Sequence, residues 1–473
     1  MLYSLLSRQN DRYTADLYTV FLSHRSLPLL GEGPKFLCAS SFSFFHPATP
    51  VLTTPTTAVP NEKIMGTKEI LKKFDGQISL SVDIMMNEKN FDRYLCLSAH
   101  FVDEKWELKK QQVYFRSLED TNNLLPEDED WGIFSSLKKW GIEDKVSTLT
   151  MTTDGVYNEL AGFVKGRIQE KKELQLDGQL FRVYCCGELI GEMVNGAFQK
   201  IQDIINKVDP LYSVANLPLW YLTSSKLKEA LELWSKGEFS SVDETFYEVP
   251  STEEWKKVEG VCKVLESVYI VSNALFETKD LTANVYLCRL DELRDFLTQM
   301  HNDSDGFTRK IAEGMLSKLD KYVNDMFLHL AIAGVLDPRL KMQFVETVCS
   351  KVKGAEGGSR VAAVLEAIHK LFDKYSLDVQ MNNYPSVGSD LDRYLGEAVV
   401  PWSQNFTALA WWKTAAARYP TLSKMAREFL AIPFSIATSY EAFYIEPRPA
   451  KKNLVGLEPG LANALLFTRS KLV

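Results

Sequence analysis

The chain has 473 residues, a net charge of −8, and ordinary shares of hydrophobic and charged residues, at 45% and 25%. A single hydrophobic core rarely grows beyond roughly 250–300 residues, so this length predicts two or three structural units. The composition excludes wholesale disorder, and the acidic balance excludes a protein that grips duplex DNA with its whole surface. Any contact with nucleic acid must therefore use a local patch or be supplied by a partner.

The cysteine and histidine residues argue against a disulfide framework and a zinc site. The chain contains seven cysteines and six histidines, and no two cysteines have the CxxC spacing. An odd, scattered set of cysteines is typical of reduced thiols in the cytosol or nucleus, and it lacks the clustered ligands of a structural zinc. No apolar run approaches the ~20 residues that a membrane-spanning helix needs, so we expect no membrane partner.

Residues 1–62 differ in composition from the rest of the chain. The stretch from Pro47 to Pro60 holds four prolines and five threonines. Proline removes backbone donors, and the few large apolar side chains in this stretch cannot offset the entropy of ordering it. These residues are predicted to form a low-complexity, disordered N-terminus.

Residues 63–190 have the pattern of an α/β sheet. In the run ISLSVD, apolar and polar residues alternate up to Asp83, which is the period-2 pattern of a strand. The runs RYLCLSAHFV and WELKKQQVYF predict a hairpin, and VSTLTMTTD is a further alternating run that ends at Asp154. The short run LFRVYCC follows a predicted helix. Three antiparallel-type strands followed by alternating helix and strand favour a mixed α/β sheet.

The remainder of the chain is predicted to be helical. In residues 191–374, the stretch EWKKVEGVCKVLESVYIVSNALF places its valines on one face of a helix. A mostly polar segment that contains Pro385 predicts a boundary. Residues 388–473 then return to helix, with dense aromatic side chains.

Several stretches together carry a resemblance to a known family. They include WGIEDKVSTLTMTTD, KLDKYVNDMFLHLAIAGVLDPRLK, DLDRYL and LAWWKTAAARYPTLSKMAREFLAIPFS. The double tryptophan, RYP and MAREFLAIP at this spacing are the most specific of these features. Residues 65–473 resemble the hAT superfamily of transposases, in its plant RICESLEEPER/DAYSLEEPER-like group. The resemblance implies an RNase H-like mixed sheet, a large helical insertion that carries an RNase H segment (191–374), and a helical C-terminal dimerisation region (388–473).

An RNase H-like transposase cuts phosphodiesters with two divalent metal ions, held by two Asp and one Glu. Magnesium prefers such carboxylate oxygens. The resemblance places Asp83 and Asp154 at the first two ligand positions. Without it, an Asp at the end of a strand would be read as the start of a turn or the cap of a helix.

The third ligand position departs from the family pattern. An ungapped match on Ile432-Pro433 and Phe443 places Tyr440 there, and Glu441 is one residue late. One residue on a helix is a rotation of ~100°, so Glu441 would miss the metal site unless the helix shifted its register. The resemblance therefore implies remnant positions only, with the ancestral Mg²⁺ site lost and no other cofactor. An active transposase in which Glu441 serves as the ligand is the alternative.

Further departures point the same way. The family's Cys-Cys-Ala-His reads Cys185-Cys186-Gly187-Glu188, so a carboxylate replaces the histidine. Residues 1–62 cannot supply the BED zinc finger that the family usually carries. The sequence thus favours a domesticated, catalytically degenerate protein of the nucleus. A truncated transposon relic that lacks its zinc finger would show the same changes.

The C-terminal region is predicted to mediate self-association. Its candidate interface residues are Leu391, Tyr394, Leu395, Trp411, Trp412 and Tyr419. The first three form an apolar stripe at i, i+3, i+4, and adjacent tryptophans on a helix point ~100° apart, so that one can serve the core and the other a partner. We expect a homodimer or a complex with related hAT-like proteins, and weak association with DNA.

Overall fold

The computed structural model describes residues 68–86, 93–117, 133–153, 155–208, 250–276, 282–352, 355–381, 389–403, 406–436 and 448–449. The predicted disordered N-terminus, residues 1–62, lies outside this part of the chain. The strands are β1 (Ile78–Met86), β2 (Arg93–Val102), β3 (Leu108–Ser117), β4 (Val146–Met151), β5 (Arg182–Tyr184) and β6 (Arg448–Pro449).

The strands form one mixed sheet in the order β3-β2-β1-β4-β5, and β6 also pairs with β1. The first three strands are antiparallel neighbours, whereas β4 runs parallel to both β1 and β5. The predicted hairpin is confirmed, because Val102 on β2 pairs with Leu108 on β3 and the chain turns between them. The α/β class predicted from the strand order is likewise confirmed.

Helices precede, separate and follow the strands. They are α1 (residues 68–73), α2 (Ile133–Trp140), α3 (Gly155–Gln169), α4 (Cys186–Gln199), α5 (Gln202–Val208), α6 (Thr252–Phe276), α7 (Tyr286–His301), α8 (Gly306–Val335), α9 (Lys341–Ser350), α10 (Glu356–Met381), α11 (Asp390–Gly396), α12 (Ala408–Ala415) and α13 (Pro420–Phe429). No helix in the described part of the chain is long and apolar enough to cross a membrane.

The two faces of the sheet differ in chemistry, as the alternation in β1 predicts. Ile78, Leu80 and Val82 are fully buried in a core shared with α1, α2 and α3. The opposite face carries serine and threonine, and Ser81 and Thr150 on it are also buried. The sheet is therefore covered on both faces, and Thr150 Oγ1 on the second face has no hydrogen-bond partner among the described residues.

The helical segment and the C-terminal region share a second, larger core. This cluster extends from Val102 at the end of β2 through α4 and α6–α10 to Phe434. Trp255 and Trp412, which lie 157 residues apart in sequence, are both fully buried in it. Residues 389–436 are thus packed into the fold of the chain, although their predicted role is to contact a second chain. The proposed domain boundaries themselves remain predictions.

Candidate catalytic edge and C-terminal region

Asp83 lies near the carboxyl end of β1, where it pairs with Cys96 of β2 and is half-buried. In the parallel pair β1–β4, Ser81 lies opposite Thr150. Parallel strands end at the same edge of a sheet, so the backbone brings Asp83 and the end of β4 together. We call this edge, with Asp83, Thr153 and Glu188, the catalytic edge. Asp154 and Tyr440 fall outside the described residues, and their roles remain predictions.

Glu188 binds the residue that precedes Asp154. It lies in the first turn of α4, directly beyond β5. Its Oε2 accepts a hydrogen bond from the Thr153 backbone N–H at 2.7 Å, and its Oε1 accepts one from Thr153 Oγ1 at 2.7 Å. A carboxylate is favoured in the first turn of a helix, where the backbone N–H groups point at it. The sequence shows that the family's histidine is lost, but it does not predict these two hydrogen bonds, because they depend on β4 and β5 being neighbours in the sheet.

Cys185 and Cys186 attach the C-terminal region to the same edge. The Cys186 backbone N–H donates to the Phe434 carbonyl at 2.7 Å, and the Ile436 N–H donates to Cys185 Sγ at 3.4 Å. Burial raises the pKa of both thiols, so they are protonated at neutral pH. The segment that leads to Tyr440 therefore leaves the described structure from the catalytic edge.

Among the described residues, no group of three or more His, Cys, Asp or Glu side chains is placed to hold a metal ion. Asp83 is one carboxylate, and both oxygens of Glu188 already accept hydrogen bonds from Thr153. A neutral phenol at the third position is a poor ligand for Mg²⁺, which prefers carboxylate, carbonyl and water oxygens. Asp154, Tyr440 and Glu441 lie outside the described residues, so the loss of the two-metal centre remains a prediction.

The polar face of the sheet contains a buried histidine that sequence reasoning missed. His100 on β2 contacts Ser81 of β1, with Nε2 and Oγ 2.8 Å apart. Desolvation lowers the pKa of His100 well below its usual value, and Lys110 adds to this effect. The imidazole is therefore neutral at pH 7 and pairs with Ser81 in the sheet interior. A single histidine in an alternating strand gives no sign of this pairing.

The predicted interface residues of the C-terminal region divide into two groups. Leu391, Tyr394, Trp412 and Tyr419 have no exposed surface in the single chain. Only Leu395 and Trp411 are half-buried and reach the surface. Leu391, Tyr394, Trp412 and Tyr419 thus belong to the chain's own core. Of the candidate interface residues, Leu395 and Trp411 therefore remain partly open to solvent, and Trp402 of the same region is exposed.

Two hydrogen bonds fix the buried aromatic residues to the end of α8. Trp412 Nε1 donates to the Leu336 carbonyl at 2.7 Å, and the Tyr394 hydroxyl donates to the Val335 carbonyl at 2.8 Å. These carbonyls belong to the last turn of the helix, where no intrahelical donor is available. The C-terminal region therefore caps α8 as well as burying it.

The segment LDPRLK after α8 forms a buried polar junction. Arg339 donates to both carboxylate oxygens of Asp337, at 3.0 and 2.6 Å, and Asp337 also accepts from Asn284 at 2.6 Å. The Arg339 guanidinium lies between two aromatic rings, 4.2 Å from the centroid of Trp402 and 4.3 Å from that of Phe406. This stack ties the loop before α12 to the helical segment.

The strand order and the placement of Asp83 define a protein of the RNase H-like class. Three family models match within the chain. They are the ZBED1 RNase-like domain over residues 82–180, the hAT-like transposase RNase-H fold over 284–375, and the hAT family C-terminal dimerisation region over 390–472. The chain therefore carries the RNase-H-fold and C-terminal dimerisation regions of hAT transposases, and the resemblance read from the sequence is confirmed.

Curated relatives agree with this assignment. The chain is 28% identical to the zinc finger BED domain-containing protein RICESLEEPER 3 of Oryza sativa subsp. japonica, over 78% of this chain and 57% of that protein. It is 27% identical to DAYSLEEPER of Arabidopsis thaliana, over 85% and 65%. It is also 25% identical to the putative AC transposase of Zea mays, over 86% and 58%. The matched part of the chain thus spans about three fifths of each relative.

Proposed function

We propose that this chain is a domesticated transposase derivative that acts by dimerisation and weak DNA association in the nucleus, without cleaving DNA. The observation that carries this proposal is the donor set of the catalytic edge. Asp83 keeps a carboxylate, but the third ligand position aligns with Tyr440, and Glu188 adds a hydrogen-bonded carboxylate where the family has histidine. In this proposal the ancestral magnesium site is lost, and the fold is retained because it supports dimerisation and DNA association.

The charge at position 188 supports the loss of catalysis independently of Tyr440. A carboxylate beside Thr153 repels a DNA phosphate, whereas an imidazole can donate a hydrogen bond to it. Both carboxylate oxygens of Glu188 accept hydrogen bonds from Thr153, which fixes the carboxylate at this edge. The catalytic edge is therefore less suited both to metal ions and to a scissile phosphate.

Dimerisation is supported by the match of residues 390–472 to the hAT dimerisation region. It is also supported by the aromatic surface that the folded chain leaves uncovered. Trp402 remains 36% exposed, and Trp411 is half-buried between the core and the solvent. Aromatic side chains of this kind are enriched at the centres of protein interfaces.

A strand-cleavage assay tests the loss of catalysis. The full chain is incubated with labelled transposon-end DNA and Mg²⁺ or Mn²⁺, beside an Asp83→Ala variant as the control for contaminating nuclease. We expect no nicking above the Asp83→Ala background, and none after Tyr440→Glu alone, because Glu188 still replaces the histidine. Metal-dependent nicking that disappears in both Asp83→Ala and Glu441→Gln would instead establish an active transposase with Glu441 as its third ligand.

Nuclear localisation is proposed on the same basis, since DNA association requires it. A fluorescent fusion of the chain is expected to accumulate in the nucleus. Uniform exclusion of the fusion from the nucleus would contradict the DNA-associated role.

A further inference from the structure

A basic surface lies at the end of the sheet opposite the catalytic edge. It is formed by residues 68–75 around the end of α1, residues 138–145 between α2 and β4, and residues 165–173 at the end of α3. These ranges hold ten basic and six acidic side chains, a local excess of four positive charges in a chain whose total is −8. We call these three ranges the basic surface.

Hydrogen bonds hold the three ranges together. Lys145 Nζ donates to the carbonyls of Leu71, Lys72 and Phe74 at 3.1, 2.7 and 2.7 Å, which closes the end of α1. Lys171 Nζ donates to Glu143 at 2.6 Å and joins the end of α3 to the same site. Positive φ at Gly141, +67°, turns the chain from α2 towards β4, and a Cβ there would lie only 3.2 Å from the Lys72 side chain. The basic surface is therefore a fixed structural feature.

Four lysines of the basic surface are available to a partner. Lys72, Lys73, Lys138 and Lys139 are exposed, and none forms an ion pair with another described residue. Three acids of the surface are neutralised, since Glu143 pairs with Lys171, Glu170 with Arg167, and Glu173 with Lys374. Glu69, Asp75 and Asp144 remain beside the four lysines, and all three are exposed. The free charge of the surface is thus predominantly positive.

We propose that the basic surface contacts the phosphate backbone of double-stranded DNA, with Lys72, Lys73, Lys138 and Lys139 as the main contacts. Lysines that approach phosphates release condensed counterions, which is the principal source of sequence-independent DNA affinity. The rest of the chain is net negative and repels DNA, so the contact is confined to this surface. The inference rests on the proposed DNA association and names the surface responsible for it.

The location of this surface agrees with a protein that does not cleave. Ile78 begins β1 beside the basic surface, and Asp83 lies five residues further along the strand. At about 3.3 Å per residue, the two ends are about 16 Å apart. The basic surface and the catalytic edge are therefore separate parts of the sheet, and contacts at the first do not involve the catalytic carboxylates.

A simpler role for these lysines is local. Lys138 and Lys139 lie in the last turn of α2, where a cation interacts favourably with the helix dipole. Lysines with only this role would affect the stability of α2 and leave DNA binding unchanged. The two roles are separated by measuring thermal stability and DNA affinity on the same variants.

The test compares two charge-matched variants of the full chain. The surface variant carries Lys72→Glu, Lys73→Glu, Lys138→Glu and Lys139→Glu. The control variant carries Lys105→Glu, Lys200→Glu, Lys310→Glu and Lys321→Glu, at exposed positions outside the basic surface. Both have the same net charge, so overall repulsion of DNA is equal. A second surface variant with four Lys→Gln substitutions serves if the Glu variant does not fold.

Binding is measured by fluorescence anisotropy with a labelled duplex over a range of salt concentrations. We expect wild-type binding to weaken with salt at a log–log slope of about 3–4, as about four phosphate contacts predict. The surface variant should bind about tenfold or more weakly than the control variant. Equal affinities for the two variants would overturn the surface assignment alone. No wild-type binding at ~50 mM salt would overturn both this assignment and the proposed DNA association.

A competition experiment separates DNA from acidic protein partners. Unlabelled duplex is expected to displace the labelled duplex from the wild-type chain far more effectively than polyglutamate of equal total charge. Displacement by polyglutamate at equal concentration would identify the surface as a site for acidic polypeptides and overturn the DNA proposal.

Discussion

Trp411 and Trp412 show how neighbouring residues of one helix serve different environments. Their rings meet edge to face at 4.9 Å between centroids, yet Trp412 is fully buried and donates to Leu336, whereas Trp411 is half-buried. A rotation of ~100° between adjacent helical positions explains the difference. The double tryptophan therefore combines a structural residue with one that is open to a partner.

Trp412→Ala is expected to lower the free energy of unfolding by ~3–5 kcal/mol, because it removes a large buried side chain and leaves the Leu336 carbonyl without its donor. Trp411→Ala should cost only about 1–2 kcal/mol, since part of the ring is already in water. Thermal and denaturant unfolding of both variants measure these values. Similar losses in the two variants would contradict the assignment of Trp412 to the core.

Lys341 is a second residue whose role is structural. Its backbone has a positive φ of 50°, and the side chain is buried with Nζ donating to the carbonyls of Tyr394 and Glu397 at 2.6 and 2.8 Å. Burial lowers the pKa of this ammonium, although Glu397 nearby favours its charge. The ammonium thus joins the start of α9 to the end of α11.

Lys341→Met keeps most of the apolar stem but removes the donors. It should lower the free energy of unfolding by about 1–3 kcal/mol, because buried carbonyls lose their hydrogen bonds. Lys310→Met, at an exposed position of α8, is the matched control and should change stability by less than about 0.5 kcal/mol. Equal effects of the two substitutions would show that the buried ammonium has no special role.

Among the secondary-structure elements, the sheet and helix α8 each contain a buried histidine that is neutral at pH 7. His100 lies on β2, and His329 lies on α8. Desolvation lowers the pKa of His329 to about 4 and that of His100 well below its usual value. Charging either imidazole inside the protein is unfavourable, so both residues make the fold sensitive to acid.

The chain is accordingly expected to lose stability as the pH falls from about 6.5 towards 4. The unfolded chain binds a proton on His329 near pH 6.5, whereas the folded chain does not until about pH 4. The stabilising contribution of the neutral imidazole is therefore present above pH 6.5, and about 3 kcal/mol of it is lost by pH 4. His329→Leu should reduce the slope of stability against pH in denaturant titrations, and an unchanged slope would refute this assignment.

The sheet was predictable from sequence because its signals are local. Alternation in ISLSVD was enough to assign β1 and to place Asp83 near its end. The junction at Asp337 and Arg339 was not predictable, because its partners Asn284, Trp402 and Phe406 are distant in sequence.

The aromatic residues of the C-terminal region show a second reason why sequence alone does not predict the structure. Their number and spacing indicate a large apolar surface but do not reveal what covers it. For Tyr394 and Trp412 the cover is the end of α8, a segment of the same chain. A sequence pattern cannot distinguish this arrangement from an interface, because both bury the same side chains.

At the scale of the whole molecule, the C-terminal region and the helical segment are interdependent. They share one core, and the carbonyls that end α8 are satisfied by side chains of α11 and α12. The catalytic edge is joined to the same unit through the hydrogen bond between Cys186 and Phe434. Selection for folding and association alone would therefore preserve most of the transposase architecture, even if its catalytic carboxylates were substituted.

We propose that this architecture is retained to bring two chains together. The mass of the full chain in solution, measured by multi-angle light scattering at ~10⁻⁵ M, tests this proposal. The Trp411→Ala variant is measured in the same way, at a temperature at which thermal melts show both proteins to be folded. We expect a mass of twice the 53.7 kDa chain for wild type and a weakened dimer for the variant. A wild-type chain that remains at 53.7 kDa at this concentration would contradict the claim.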